Sequence, residues 1–185
     1  QTLIILTAGI DLSCGAIMVF TSMVMAKTAM ESGMNLPGGV ALLLGVLVGG
    51  LAGFVNGTLI TRLNLPPFIV SLGTLGIFTS LTLLYATGRT VRSRELAPEL
   101  KWLGKGLDLG GFTITMGVLA MLVLYAIFAY VLRYTAWGSH VYAVGDDPDA
   151  ARLAGIEVNR VLLSVYTVAG FIFAIASWVL IGRVG

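Results

Sequence analysis

The stretch VALLLGVLVGGLAGFVNGTLIT, residues 40–61, runs for 22 residues without a charged side chain. A helix rises about 1.5 Å per residue, so about 20 apolar residues are enough to cross the hydrocarbon core of a bilayer. Four further apolar stretches lie around it, at residues 2–30 with a polar interruption at 11–15, 67–86, 113–132 and 161–181. The sequence therefore predicts an all-α, polytopic transmembrane bundle that forms a single domain over residues 1–185.

The composition excludes most other classes of protein. Hydrophobic residues make up 57% of the chain and charged residues 11%, whereas an ordinary soluble domain has roughly 45–50% apolar and about 25% charged residues. A net charge of +2, with no basic strip between aromatic residues, gives no support for nucleic-acid binding. Cys14 and His140 are the only residues of their types, so we expect no internal disulfide, no metal site and no catalytic residue, and an intramembrane enzyme ranks last.

Small residues repeat along one side of the central span. Gly45, Gly49, Gly53 and Gly57 are spaced four residues apart, which places them on one face of a helix. In lipid, small residues allow two helix backbones to approach closely enough for dispersion forces to hold them together. The spacing favours a helix-packing face over a face that lines a solute path. Asn56, beside these glycines, is most simply interpreted as a hydrogen-bonding group between helices.

The stretch LTAGIDLSCGAIMV, residues 6–19, places a carboxylate inside an apolar run. A charge near the bilayer centre costs roughly 2.5–3.5 kcal/mol, and Gly9, Asp11, Ser13 and Gly15 are all poor residues for a helix interior. We therefore predict a helix break, with Asp11 or Ser13 as N-cap of the following helix. Two interpretations stay open: a cap near one interface, or part of a solute path through the bundle. The candidates for such a path are Asp11, Ser13, Asn56 and Thr74.

The long polar segment 133–160 contains the pattern of a short helix. In VGDDPDAARLAGIEV, residues 144–158, Asp147 is a favourable N-cap, Pro148 suits the first helical position, and Gly155 suits the left-handed residue after the last turn. A helix of about seven residues is marginal in water unless it packs against something. The residues alone do not decide between packing on this chain's own membrane helices and packing on a partner.

Four segments carry a family resemblance: GIDLS at 9–13, Asn56-Gly57, PPFIVSLGTL at 66–75 and YAVGDDPDAARLAGI at 142–156. Together, in order and spacing, they resemble the permease subunit of bacterial ABC importers of the ribose/monosaccharide class. The likeness extends over nearly all 185 residues, and Ala-Ala-Arg-Leu-x-Gly-Ile is its most specific element. The sequence departs from the family pattern at Asp146 and Asp147, where glycine and asparagine are frequent, and at Cys14, where a small aliphatic residue is usual.

The resemblance implies a transport subunit of the bacterial inner membrane, not an enzyme, which carries a ribose-like monosaccharide or a related small polar solute. It also implies three partners: an ATP-binding subunit that holds ATP and Mg²⁺, a periplasmic or extracellular solute-binding protein, and a second permease copy. This chain would itself bind no cofactor. In the family, the loop matching 133–160 is cytoplasmic and bears a coupling helix seated on the ATPase. If the family's coupling helix is carried over to this chain, the resemblance implies these coupling residues: Asp147, Pro148, Ala150, Ala151, Arg152, Leu153, Gly155 and Ile156.

The residues alone leave open a second function and the orientation of the chain in the membrane. A secondary transporter or channel could use the Asp11 break as an ion or proton site, independently of ATP. If loops alternate between sides, the side with 133–160 has four Lys and Arg residues and the other side has seven. The positive-inside rule then predicts that the coupling loop lies outside, against the family motif. Because the sequence begins at Gln1 and ends within an apolar stretch, we also expect it to be an internal fragment of a longer subunit.

Overall fold

The computed structural model describes residues 1–30, 33–87, 91, 95–108, 110–111 and 113–184. Within these residues the chain is mainly helical, with a 3-10 turn at Trp102–Gly104 and a small antiparallel hairpin of β1 (Gly106–Asp108) and β2 (Thr113–Thr115). The helices are α1 (Thr2–Leu6), α2 (Cys14–Ala29), α3 (Gly38–Arg62), α4 (Pro67–Ala86), α5 (Met116–Tyr134), α6 (Ala136–Asp146), α7 (Pro148–Leu153) and α8 (Val158–Val184). The predicted all-α polytopic architecture is confirmed.

Four of the described helices are long and apolar enough to cross a membrane. They are α3, α4, α5 and the Val158–Arg183 part of α8. Helix α2 has 16 residues, which is about 24 Å at 1.5 Å per residue and shorter than the hydrocarbon core. The expected span over residues 2–30 therefore consists of two helices, α1 and α2, with non-helical residues 7–13 between them.

The helix break lies earlier than the sequence predicts, at residues 7–13 instead of 11–15. The chain leaves α1 at Thr7, whose hydroxyl donates to the Ile4 carbonyl at 2.9 Å, and Ala8 adopts a left-handed φ of 55°. Gly15 is the second residue of α2, and nothing lies within 4 Å of a Cβ built on it. A glycine inside a helix costs only about 1 kcal/mol relative to alanine, so a single one does not prevent α2 from forming.

Helices α3 and α8 form the core of the bundle through contacts between their backbones. A Cβ built on Gly49 would lie 2.7 Å from the carbonyl oxygen of Gly170. A Cβ on Gly53 would overlap the carbonyl oxygen of Tyr166 and lie 3.0 Å from the Cα of Gly170. Such distances leave room only for hydrogen, which is why glycine occupies these positions. Of the four glycines predicted to form a packing face, Gly45 faces α2, and Gly49, Gly53 and Gly57 face α8.

The connection between α4 and α5 is partly folded against the end of α8. Leu100 is fully buried, and a Cβ on Gly182 of α8 would lie 3.0 Å from the Cα of Gly104 in the 3-10 turn. Residues 113–115, expected to begin a span, pair as β2 with β1, so α5 starts at Met116. The positive-inside comparison of the two sides counts Arg89, Arg92 and Arg94, and these three residues lie outside the described residues.

Candidate functional site

The polar centre of the helix break is the carboxylate of Asp11, which is 1% exposed. Its Oδ1 accepts hydrogen bonds from the Ser13 N–H at 2.7 Å and from the Ser13 hydroxyl at 2.6 Å. Ser13 takes the N-cap position of α2, but its hydroxyl donates to Asp11 and accepts nothing from the first turn of the helix. The expected capping hydrogen bond is therefore replaced by a local turn that the carboxylate closes, a pattern to which aspartate is well suited.

Helices α3 and α4 both reach this turn with polar side chains. Asn56 of α3 is 1% exposed and donates from Nδ2 to the Ser13 hydroxyl oxygen at 2.9 Å. Ser71 of α4 donates to the carbonyl of Ile10 at 3.3 Å. Thr74 is buried further along α4, and its hydroxyl donates within the helix to the Ser71 carbonyl at 3.4 Å. Of the four predicted path residues, the structure thus brings together Asp11, Ser13 and Asn56, and leaves Thr74 outside their hydrogen bonds.

Tyr166 of α8 belongs to the same cluster, although the sequence does not predict it. Its side chain is 1% exposed, and a Cβ built on Gly9 would lie 2.8 Å from its hydroxyl oxygen. The Tyr166 hydroxyl and Asn56 Oδ1 are both buried without a hydrogen-bond partner in the described residues. A tyrosine within an apolar span carries no sequence signal that α8 faces the break. The cluster keeps unused hydrogen-bonding capacity inside the bundle.

The break lies near one end of the bundle. Asn56 precedes the last residue of α3, Arg62, by six residues, which is about 9 Å along a helix. Ser71 lies in the second turn of α4, close to the same end. The start of α8 is at this end too, because a Cβ built on Gly57 would lie 3.0 Å from Leu163. The short helices join it there, since Gly145 of α6, just before α7, lies against the carbonyl of Leu6, the last residue of α1. The break and the segment 133–160 therefore share an end of the molecule.

Helix α7 begins and ends at the residues that the sequence predicts for a short helix. Asp147 Oδ1 accepts from the N–H groups of Asp149 at 2.8 Å and Ala150 at 3.0 Å. Gly155 follows the helix with a left-handed φ of 83°, the conformation that glycine adopts without strain. Six residues span only about 9 Å, so α7 needs support from outside itself.

The two sides of α7 have different surroundings. Ala151 is 4% exposed and packs in the buried cluster, whereas Leu153 is 92% exposed. Ala150 and Arg152 are also exposed, and Arg152 pairs with Asp149 at 2.6 Å on the surface. Of the other predicted coupling residues, Pro148 and Gly155 are exposed and Ile156 is half-buried. Helix α7 therefore packs on its own chain through Ala151 and leaves a leucine free on the opposite side.

Helix α6 is not predicted from the sequence, which treats 133–160 as a loop with one short helix. The helix starts after Thr135, whose hydroxyl oxygen accepts from the Gly138 N–H at 3.2 Å. That threonine is the signal that could reveal it. Glycines at 138 and 145, within 11 residues, lower the intrinsic helix propensity and hide the pattern.

Replacing Asp147 with alanine is expected to loosen α7, because the N–H groups of Ala150 and Asp149 lose their acceptor. The same two hydrogen bonds hold the pKa of Asp147 below its usual 3.8. The carboxylate therefore caps fully at neutral pH, and its contribution is lost only as the pH falls below 3.8 through the lowered pKa. Hydrogen exchange of the 144–156 peptide should accelerate by roughly threefold to tenfold in Asp147→Ala. Asp147→Ser, which keeps a capping oxygen, should stay near wild type, and equal exchange in both variants would contradict the cap.

These features define the chain as an integral membrane protein of several spans, with a buried polar break and a short capped helix at one end. The chain belongs to the family described as branched-chain amino acid transport system / permease component, which it matches over residues 1–185. No solved structure matches the chain.

Several import permeases are similar to the chain over its length. The fructose import permease protein FrcC of Rhizobium meliloti is 47% identical over 188 residues, which cover 100% of this chain and 52% of that protein. The autoinducer 2 import system permease protein LsrC of Photorhabdus luminescens is 36% identical over 184 residues, 100% of this chain and 53% of that protein. The ribose import permease protein RbsC of Bacillus subtilis (strain 168) is 35% identical over 186 residues, which cover 99% of this chain and 55% of that protein. The chain thus spans about half the length of these relatives.

Proposed function

We propose that the chain is part of the membrane-spanning permease subunit of an ATP-binding-cassette importer in the bacterial inner membrane. The observation that carries the proposal is α7, a capped six-residue helix that packs on the bundle through Ala151 and exposes Leu153. A six-residue helix is marginal by itself, and a partner protein that packs on the exposed side of α7 would add the support that one buried alanine gives only in part. Family membership and the names of the relatives support an import permease.

The solute in this proposal is a monosaccharide, ribose-like, or a related small polar molecule. The relatives quoted above are named for fructose, ribose and autoinducer 2. The fructose permease has the highest identity of the three, at 47%. Fructose and ribose are therefore the first solutes to test. A branched-chain amino acid, which the family description names, is the comparison solute.

In this proposal the chain carries out no chemistry. An ATP-binding subunit holds ATP and Mg²⁺ and seats α7, a solute-binding protein delivers the solute on the other side, and a second permease copy completes the path. Each partner acts only by binding one conformation of the bundle more tightly than the other. The coupling residues are those of α7 and its ends, and their role is to pass the movement of the ATPase to the membrane helices.

Disulfide or bifunctional crosslinking between α7 and the ATPase tests this proposal directly. The full-length permease is expressed with its ATPase in a Cys14→Ala background without other permease cysteines, and Leu153→Cys is introduced at the 92% exposed position. We expect crosslinks to the ATPase whose yield changes when ATP is added. Two matched controls should give none: Ala151→Cys, which faces the chain's own core, and Met34→Cys, which is 63% exposed in the connection after α2.

The same variants decide the orientation. Leu153→Cys should react with a membrane-impermeant thiol reagent only in inverted vesicles, and Met34→Cys only in intact cells. Absence of Leu153→Cys crosslinks in an assembled complex, together with labelling of that position from outside, would contradict the proposal and agree with the positive-inside count.

A further inference from the structure

The end of α6 touches the end of α1 through backbone atoms. Gly145 lies three residues before α7, and Leu6 is the last residue of α1, immediately before the helix break. A Cβ built on Gly145 would overlap the carbonyl oxygen of Leu6 and lie 3.3 Å from the Cα of Thr7. Two backbones in such contact move together, since no flexible side chain lies between them to absorb a displacement.

Helices α6 and α7 are joined tightly at this point. Asp147 donates its N–H to the Ala143 carbonyl of α6 at 3.1 Å, and its carboxylate caps α7. Val144 and Ala151, one on each helix, are 3% and 4% exposed and belong to the same buried cluster as Ile4 of α1. A displacement of α7 is therefore carried to Gly145 through both hydrogen bonds and side-chain packing.

On the other side of the contact, the residues after Leu6 are connected to three membrane-embedded helices. Ile10 accepts from Ser71 of α4, and Ser13 accepts from Asn56 of α3. Gly9 lies against the hydroxyl of Tyr166 on α8. The break is thus the place where a movement that arrives at Leu6 reaches α3, α4 and α8 together.

We infer that Gly145 is a positioning residue that transmits movement of α7 into the helix break around Asp11. The inference rests on the proposed function, because it takes α7 as the element that the ATPase moves. It adds a specific route from this element to the bundle: α7, Asp147, Gly145, Leu6 and the break. The break then acts as the joint at which α2 changes its position relative to α3, α4 and α8.

Cys14 provides a probe for this route, because it is the first residue of α2, directly after the break, and is half-buried. In the full-length permease with its ATPase and no other permease cysteine, the rate of Cys14 labelling by a maleimide is measured with and without ATP and Mg²⁺. We expect nucleotide to change the wild-type rate by about fivefold. In Gly145→Ala the added methyl forces α6 away from Leu6, so the ratio should fall to about one. Gly39→Ala, a change at an open helical position, should keep the wild-type ratio.

A second experiment separates this inference from the proposed function. The Leu153→Cys crosslink to the ATPase is measured in the Cys14→Ala background, once with Gly145 intact and once with Gly145→Ala. A nucleotide-dependent crosslink that persists in Gly145→Ala, together with loss of the Cys14 response, supports the route. A persistent crosslink with an unchanged Cys14 response in Gly145→Ala overturns it, and so does a wild-type Cys14 rate that nucleotide does not alter. If Leu153→Cys gives no crosslink even when Gly145 is intact, the proposed function itself has failed. If Gly145→Ala does not assemble, Val144→Ala removes two methyl groups from the buried cluster that α1, α6 and α7 share, without overlap. It should also reduce the ratio, and an unchanged ratio there overturns the inference.

Discussion

Replacing Gly53 with valine is expected to remove most of the folded protein from the membrane. A Cβ at this position overlaps the Tyr166 carbonyl oxygen and lies 3.0 Å from the Cα of Gly170. Both are backbone atoms of α8, so no rotamer change makes room and the two helices must separate. Overpacking costs about 1–3 kcal/mol in cores where side chains can adjust, and we expect at least the upper value here. The amount of full-length protein in membranes and its denaturation midpoint in detergent measure the effect.

The matched control for this prediction is Gly39→Val. It makes the same change in the same helix, at a position where nothing lies within 4 Å of the new Cβ. Both variants introduce a β-branched residue, so their intrinsic helix propensities change alike. Gly39→Val should accumulate and denature like the wild type. Equal behaviour of the Gly53 and Gly39 variants would show that α3 and α8 are not held by this backbone contact.

Replacing Asp11 with alanine is expected to destabilise the protein by about 3 kcal/mol, since buried donors then lose a charged acceptor. The N–H and the hydroxyl of Ser13, a fully buried residue, both donate to the same carboxylate oxygen. Asp11→Asn keeps an oxygen acceptor at this point and removes only the charge, so its cost should be about 1 kcal/mol. Thermal denaturation of the full-length protein in detergent compares the two variants.

The transport activity of Asp11→Asn separates a structural role of the carboxylate from a role in ion or proton movement. If Asp11 only holds the break together, the asparagine variant retains ATP-driven uptake of the solute that the wild type carries. Loss of uptake in an Asp11→Asn protein that is destabilised by no more than the expected ~1 kcal/mol would show that the charge itself is needed. Equal stability of Asp11→Ala and the wild type would contradict the role of this carboxylate in closing the turn.

The features that could be predicted from the sequence are those with a local physical cause. A stretch of 22 predominantly apolar residues without a charge is long enough to cross the bilayer as a helix, whatever the rest of the fold is. This explains why α3 is found close to its expected position, at Gly38–Arg62. The ends of α7 are likewise fixed by Asp147, Pro148 and Gly155, each of which acts on its immediate neighbours in the chain. Such signals do not depend on the rest of the fold.

The features that could not be predicted depend on contacts between distant residues. The meeting of Tyr166 with Gly9 is set by how α8 packs on α3, where Tyr166 also lies against Gly53 and Gly57. Helix α6 contains two glycines, and Gly145 is one of them because α1 lies against it, so a tertiary contact suppresses the local helix signal. The break begins earlier than expected for a local reason: α2 tolerates Gly15, while Ala8 adopts a left-handed φ that turns the chain before Asp11.

The close approach of α3 and α8 also determines when during synthesis the bundle can close. Gly53 and Gly170 are 117 residues apart in the chain. At 5–20 residues per second, a ribosome needs roughly 6 to 23 s to produce the second after the first. During this interval α3 has been synthesised, but the helix that covers its glycines has not. Helices α4 and α5 enter the membrane meanwhile and must leave that face accessible. The time between synthesis of α3 and closure of this contact is therefore set by the position of α8 in the chain.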